Sequence, residues 1–163
     1  MNRCEMDGGV GLIEFMATRL LLHIDDDADE AFLLERAIEL GGVGEWSFVH
    51  RSSGEEGIAY LQQAKNGGVA MPALILLDIK MPGIGGLKVL EWATANVSEV
   101  PVVILSSSGL LKDRLRARDL GSVGYYEKSA TFTDVVDFLR QWESVQFRFP
   151  RQRDSHRRSN CFN

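Results

Sequence analysis

Four places in this sequence set reactive side chains at the ends of apolar runs. "LLHIDDD" (21–27) ends on Asp25, Asp26 and Asp27, and "LILLD" (74–78) ends on Asp78. "VVILSSS" (102–108) ends on Ser106, Ser107 and Ser108, and "GYYEK" (124–128) ends on Lys128. A carboxylate at the end of a buried strand is costly unless a positive group meets it. Several carboxylates at one point repel each other and require a cation, and oxygen-only ligands favour a hard ion such as Mg²⁺. With that ion, the Ser106 hydroxyl and the Lys128 ammonium converging on it, Asp78 can attack a phosphoryl group. The ion and Lys128 neutralise the equatorial oxygens, and Ser106 hydrogen-bonds one of them.

The elements around these residues must bring the four ends into one crevice. Short apolar runs alternate with longer amphipathic ones, the signature of βα repeats and a parallel sheet. Residues 19–24, 46–51, 73–77, 100–106 and 124–126 are the expected strands. The second alternates and suits a sheet edge, whereas the third and fourth are unbroken apolar runs suited to burial on both faces. Helices are expected between them. The first carries Leu33, Leu34, Ala37 and Ile38 at helical spacing, and the third turns Leu87 and Leu90 inward. The fourth, "LLKDRLRARDL", has a thin stripe of Leu111 and Leu115 under a solvated charged face. The last begins with a Thr cap and gathers Val135, Phe138, Leu139 and Trp142 on one face. Five strands and five helices in strict alternation imply a doubly wound three-layer α/β/α sandwich with right-handed crossovers. In such a sheet the carboxyl ends of the strands face a shared crevice.

With 163 residues the chain fits one domain: an ordered unit is expected over 17–147, with a mobile extension over 1–16 and a disordered tail over 148–163. No apolar stretch reaches membrane-spanning length, and with Glu5, Asp7 and Glu14 and no continuous apolar h-region at the N-terminus, a secretory signal is not expected. Cys4 and Cys161 are read as free thiols of a reducing compartment, so a cytoplasmic location is expected. The tail holds five Arg and one Asp, a net +4, so residues 1–147 carry −9 of the overall −5. No fold or aromatic array in the tail supports specific nucleic-acid recognition. His23 on the first strand is expected to be a core histidine, and His50 and His156 show no ligand partners in the sequence.

"LLHIDDDADE", "LILLDIKMPGIGG", "VPVVILSSSG" and "GYYEKS" resemble, in order and spacing, the receiver domain of two-component response regulators, over about residues 18–146. The resemblance implies a flavodoxin-like sheet of order 2-1-3-4-5. It implies that Asp25 and Asp26 bind Mg²⁺, that Asp78 is both phosphoacceptor and metal ligand, and that the Lys80 backbone carbonyl completes the protein's ligands. Ser106 maps to the switch hydroxyl, Lys128 to the strand-five lysine and Tyr125 to the aromatic switch residue, which turns inward on phosphorylation. "DDDADEAFLLERAIE" and the second strand are most similar to the small response regulators that partner phytochrome-type histidine kinases. Where the family has Lys-Pro after strand five, with a cis bond, this chain has Lys128-Ser129.

The implied function is a stand-alone response regulator of a phosphorelay. A histidine kinase or phosphotransfer protein would phosphorylate Asp78, and homodimerisation would use the helix 4–strand 5–helix 5 face. Such a protein makes and hydrolyses its own acyl phosphate but is not a turnover enzyme; Lys80 and Ser108 would flank the path of attacking water. Two other readings stand beside it. A haloacid-dehalogenase-type phosphatase would use Asp25 and Asp27, but it lacks a downstream acidic pair and leaves Asp78 unexplained. A pseudo-receiver docking module has Ser129 as its only support.

Overall fold

The structure, a computed structural model, describes residues 19–44 and 46–148, with side chains as far as residue 142. The expectations on the extension 1–16, on Cys4, Cys161 and His156, and on the tail beyond Arg148 lie outside the described residues.

Strands β1 (Arg19–Ile24), β2 (Trp46–Arg51), β3 (Leu74–Leu77), β4 (Val102–Ser106) and β5 (Gly124–Glu127) form one parallel sheet of order β2-β1-β3-β4-β5. Helices α1 (Ala28–Leu40), α2 (Gly54–Lys65), α3 (Gly86–Asn96), α4 (Leu111–Asp119) and α5 (Thr133–Arg148) alternate with them. This is the flavodoxin-like sandwich that the alternation and the resemblance imply. Because successive strand residues point to opposite faces, each buried strand feeds two cores. Leu22, Ile24, Ile75, Leu77 and Ile104 pack with α2 and α3. Leu21, Leu74, Leu76, Val103 and Leu105 pack with α1 and α5.

Local chemistry fixes where the helices start. The Asp27 carboxylate caps α1 by accepting the Asp29 and Glu30 N–H groups. At α2, Ser53 Oγ accepts the Glu56 N–H while the Glu56 carboxylate accepts the Ser52 N–H, a variant of the reciprocal capping box. Gly86 opens α3 because a Cβ there would lie 2.0 Å from the Asp78 carbonyl oxygen, so this helix end rests directly on the backbone of Asp78.

Three expectations need correction. The stripe expected on α4 is not buried: Leu111 is 70 % and Leu115 40 % exposed, and the buried residues of the helix are Asp113 and Ala117. On α1, Leu33 faces solvent, and Ala31, Leu34 and Ile38 make the inner face. At α5 the cap position belongs to Phe132, not to a Thr. Its carbonyl accepts from the Val135 and Val136 N–H groups, and Thr131 and Thr133 hydrogen-bond each other. Phe132 has φ 50°, a conformation that costs a non-glycine residue roughly 1–2 kcal/mol, and its buried ring offsets that cost. The Lys128–Ser129 bond is trans, like every peptide bond among the described residues.

Candidate functional site

The backbone carries Asp25, Asp78 and Lys128 to one point at the carboxyl edge of the sheet. The Asp78 N–H donates to the Ile24 carbonyl, extending the β1–β3 ladder by one bond, and the Asp25 N–H donates likewise to Arg51. The Lys128 N–H donates to the Ser106 carbonyl, which extends the β4–β5 ladder. Each acidic residue is thus anchored as the next rung after a strand ends. Asp25 and Asp78 are buried, whereas Asp26 is exposed at the mouth.

One oxygen of each buried carboxylate is held by the local backbone. Asp25 Oδ1 accepts the Asp27 N–H at 3.0 Å, and Asp78 Oδ1 accepts the Lys80 N–H at 2.9 Å. The other oxygen of each faces Lys128, whose Nζ lies 2.8 Å from Asp25 Oδ2 and 3.0 Å from Asp78 Oδ2. The same ammonium contacts Glu30 Oε2 on α1. Burial opposes the charge of Lys128, but hydrogen bonds to Asp25, Glu30 and Asp78 outweigh it and raise its pKa well above the ordinary lysine range. Burial likewise works against ionised Asp25, yet His23, Lys128 and the Asp27 N–H outweigh it and lower its pKa to about 2.

Formally four carboxylates, Asp25, Asp26, Glu30 and Asp78, stand against one ammonium, an uncompensated charge that attracts a divalent cation. Asp25, Asp26 and Asp78 each offer an oxygen within 4.8 Å of the others, an all-oxygen set suited to a hard ion, so the residues fit a divalent metal.

Histidines back this site from β1 and β2. Burial lowers the pKa of His23, which favours the neutral ring. Its Nε2 is 3.5 Å from Asp25 Oδ2, and its ring sits 5.7 Å from those of Phe48 and His50. His50 has a partner that the sequence did not suggest: its Nε2 lies 2.7 Å from the Asp25 carbonyl oxygen.

A second polar cluster adjoins the first. Ser106 is fully buried at the end of β4, and its Oγ accepts the Ser108 N–H at a long 3.4 Å. Ser108 Oγ donates to Asp113 Oδ2 at 2.5 Å, and Lys80 Nζ pairs with the same oxygen at 3.3 Å. The Ser108 hydroxyl, followed by Lys80, holds the Asp113 carboxyl below its usual range. The Tyr125 hydroxyl donates to the Ser108 carbonyl at 2.5 Å under the Arg114 guanidinium, so this ring engages the loop after β4. Among the expected site residues, Asp25, Asp26, Asp78 and Lys128 therefore converge. Ser106 and Tyr125 meet instead through Ser108, and the Lys80 side chain turns to α4.

Sequence reasoning missed Glu30, Asp113 and Glu55. Glu55, on α2, accepts the Ile84 N–H at 3.0 Å and steadies the loop after Asp78. Only Glu30 left a trace in the sequence, as the last acid of "DDDADE".

Among curated relatives, the chain is 28% identical over 120 residues to the uncharacterized transcriptional regulatory protein YkoG of Bacillus subtilis, covering 74% of this chain and 49% of that protein. It is 29% identical over 119 residues to the probable methanogenesis regulatory protein FilR2 of Methanothrix harundinacea, covering 71% and 76%. It is 30% identical over 116 residues to the transcriptional regulatory protein PrrA of Mycobacterium leprae, covering 71% and 46%. The chain thus spans about half the length of YkoG and PrrA. Among solved structures, the phosphorylated cyanobacterial phytochrome response regulator RcpA superposes with TM-score 0.67 at 27% identity, over 80% of this chain and 95% of that one. The bacteriophytochrome response regulator AtBRR gives TM-score 0.61 at 28% identity, over 79% and 91%. The family model of the response regulator receiver domain matches residues 21–140, from the third residue of β1 into α5. A sheet of order β2-β1-β3-β4-β5, acids after β1 and β3, and a lysine after β5 are what that match spans, and the chain belongs to the response regulator receiver domain family.

Proposed function

We propose that this chain is a phosphoryl-accepting switch of a two-component phosphorelay, with Asp78 as acceptor. The observation that carries the reading is the single ammonium of Lys128 bonded to both Asp25 and Asp78, at 2.8 and 3.0 Å, beside an all-oxygen acidic cluster. An oxygen of Asp78 attacks the phosphorus of a phosphohistidine on a sensor kinase or phosphotransfer protein. The O–P bond of an acyl phosphate forms as the P–N bond breaks, and the imidazole leaves with the electron pair. Lys128, already at Asp78, follows the charge onto the phosphoryl oxygens, and the Ser106 hydroxyl donates to one of them. Asp25, Asp26, Asp78 and the Lys80 carbonyl hold Mg²⁺, which when bound neutralises charge on the transferred group.

The added negative charge draws Lys80 from Asp113, which loosens the Ser108–Tyr125 contacts and changes the α4–β5–α5 face offered to a partner or a second copy. The protein performs only its own phosphorylation and dephosphorylation. We place the receiver unit at 17–147, between an extension and a basic tail. No helix among the described residues is long and apolar enough to cross a membrane, and we place the protein in the cytoplasm. A haloacid-dehalogenase-type reaction is disfavoured because its would-be acid, Asp27, is the exposed cap of α1.

Beryllofluoride, a phosphoryl mimic, tests the reading when titrated with Mg²⁺ and followed by intrinsic fluorescence. The native chain is expected to bind in a Mg²⁺-dependent way and Asp78→Asn to lose binding. Binding unchanged in Asp78→Asn overturns the assignment. Continuous phosphate release from acetyl phosphate that depends on Asp25 would replace the switch with a phosphatase, and neither activity would leave a docking module.

A further inference from the structure

Lys128 has one partner that the acceptor chemistry does not require. Its ammonium contacts Glu30 Oε2 as well as Asp25 and Asp78, and Glu30 comes from the first turn of α1 rather than from a strand end. Glu30 is not among the residues whose oxygens cluster for a metal; those are Asp25, Asp26 and Asp78. Its Oε2 is nonetheless shut off from solvent, although the side chain as a whole is 34 % exposed. A carboxylate oxygen buried against one ammonium, outside the metal cluster, has one evident effect, which is to hold that ammonium.

We propose that Glu30 is a positioning residue that competes with the phosphoryl group for Lys128. The proposal rests on the switch reading above and adds a regulator to the same site. In the resting protein Lys128 is shared by three carboxylates. When Asp78 carries a phosphoryl group, the ammonium must reach its oxygens, and every contact kept with Glu30 opposes that movement. Glu30 also shares the ammonium in the resting state, so that Lys128 bears less heavily on the Asp25 and Asp78 oxygens a cation needs. The two effects have opposite signs. Glu30 favours Mg²⁺ binding to the unphosphorylated site and disfavours the phosphoryl-bearing state.

That split is the test. Glu30→Gln preserves shape and removes charge; Asp29→Asn removes the same charge from the same helix turn, at an exposed residue whose backbone N–H is bonded to the Asp27 cap. Mg²⁺ affinity alone and beryllofluoride affinity at saturating Mg²⁺ are measured for the native chain and both variants. For an ion pair this near the surface, with side chains 10 % and 34 % exposed, Glu30→Gln is expected to weaken Mg²⁺ binding and tighten beryllofluoride binding, each by about three- to tenfold. Asp29→Asn is expected to leave both constants within about twofold, since an exposed charge is largely screened. Loss of both affinities in Glu30→Gln would mark a merely structural role and overturn the proposal. Unchanged constants, or equal effects of the two variants, would also overturn it. If the native chain binds beryllofluoride and Asp78→Asn does not, the switch reading survives such an outcome. If the native chain fails to bind, both fall.

Discussion

Strand β3 and helix α4 are held in place by different physics. β3 consists of Leu74, Ile75, Leu76 and Leu77, all fully buried between helices on both faces of the sheet. α4 buries Asp113 and Ala117, exposes Leu111 and Leu115, and has Leu110 at its N-cap position, with no side-chain cap. Ala117 is its one buried apolar residue, and its other ties are polar: Asp113 to Ser108 and Lys80, and Arg114 to Glu127 and over the Tyr125 ring. Burying a leucine is worth roughly 1.5–3 kcal/mol and has no substitute partner. An ion pair near solvent is worth about 1 kcal/mol or less, and its charges can be traded to a new partner. β3 therefore fixes Asp78, while α4, held by ties that can be traded, belongs to the low-stability end of the fold and is the element that the proposed switch would move.

This contrast can be broken at its strong end first. Leu76→Ala removes a fully buried side chain packed toward α1 and α5. It is expected to cost about 2–5 kcal/mol in denaturant unfolding; a loss under about 1 kcal/mol would mean that the sheet centre does not dominate stability.

Asp113→Asn removes the charge that pairs with Lys80 and leaves an acceptor for Ser108. Global stability is expected to fall by about 1 kcal/mol or less, while amide exchange in α4 accelerates more than in β3 or α3. Uniform acceleration across the molecule would contradict a locally held helix. The smallest effect belongs to Leu111→Ala. At 70 % exposure it is expected to change stability by no more than about 0.5 kcal/mol, read as an unchanged denaturation midpoint. A core-sized loss would show that Leu111 anchors α4 after all.

The same contrast explains what the sequence made legible. A parallel strand buried on both faces must be an unbroken apolar run, so β3 and β4, with the residues that end them, could be read directly from "LILLD" and "VVILS". The edge position of β2 followed from its alternation. In α4 the rule failed, because two leucines among six charges look like a thin stripe, whereas Asp113 turns inward to meet Ser108 and Lys80 from other elements. Phe132 took the cap position because its ring fills the core beside α5, a tertiary demand that outweighs the local preference for Thr. The Glu30 contact was hidden for a similar reason. It depends on where the start of α1 passes the end of β5, and nothing within either segment encodes that meeting.

The central claim is that Asp78, and no other acid of the cluster, bears the phosphoryl group. Reduction with borohydride after phosphorylation by a histidine kinase, or by acetyl phosphate with Mg²⁺, converts an acyl phosphate to a homoserine that peptide mass mapping can locate. Homoserine at position 78 alone is the predicted result. Homoserine at position 25, 26 or 27 instead would contradict the account.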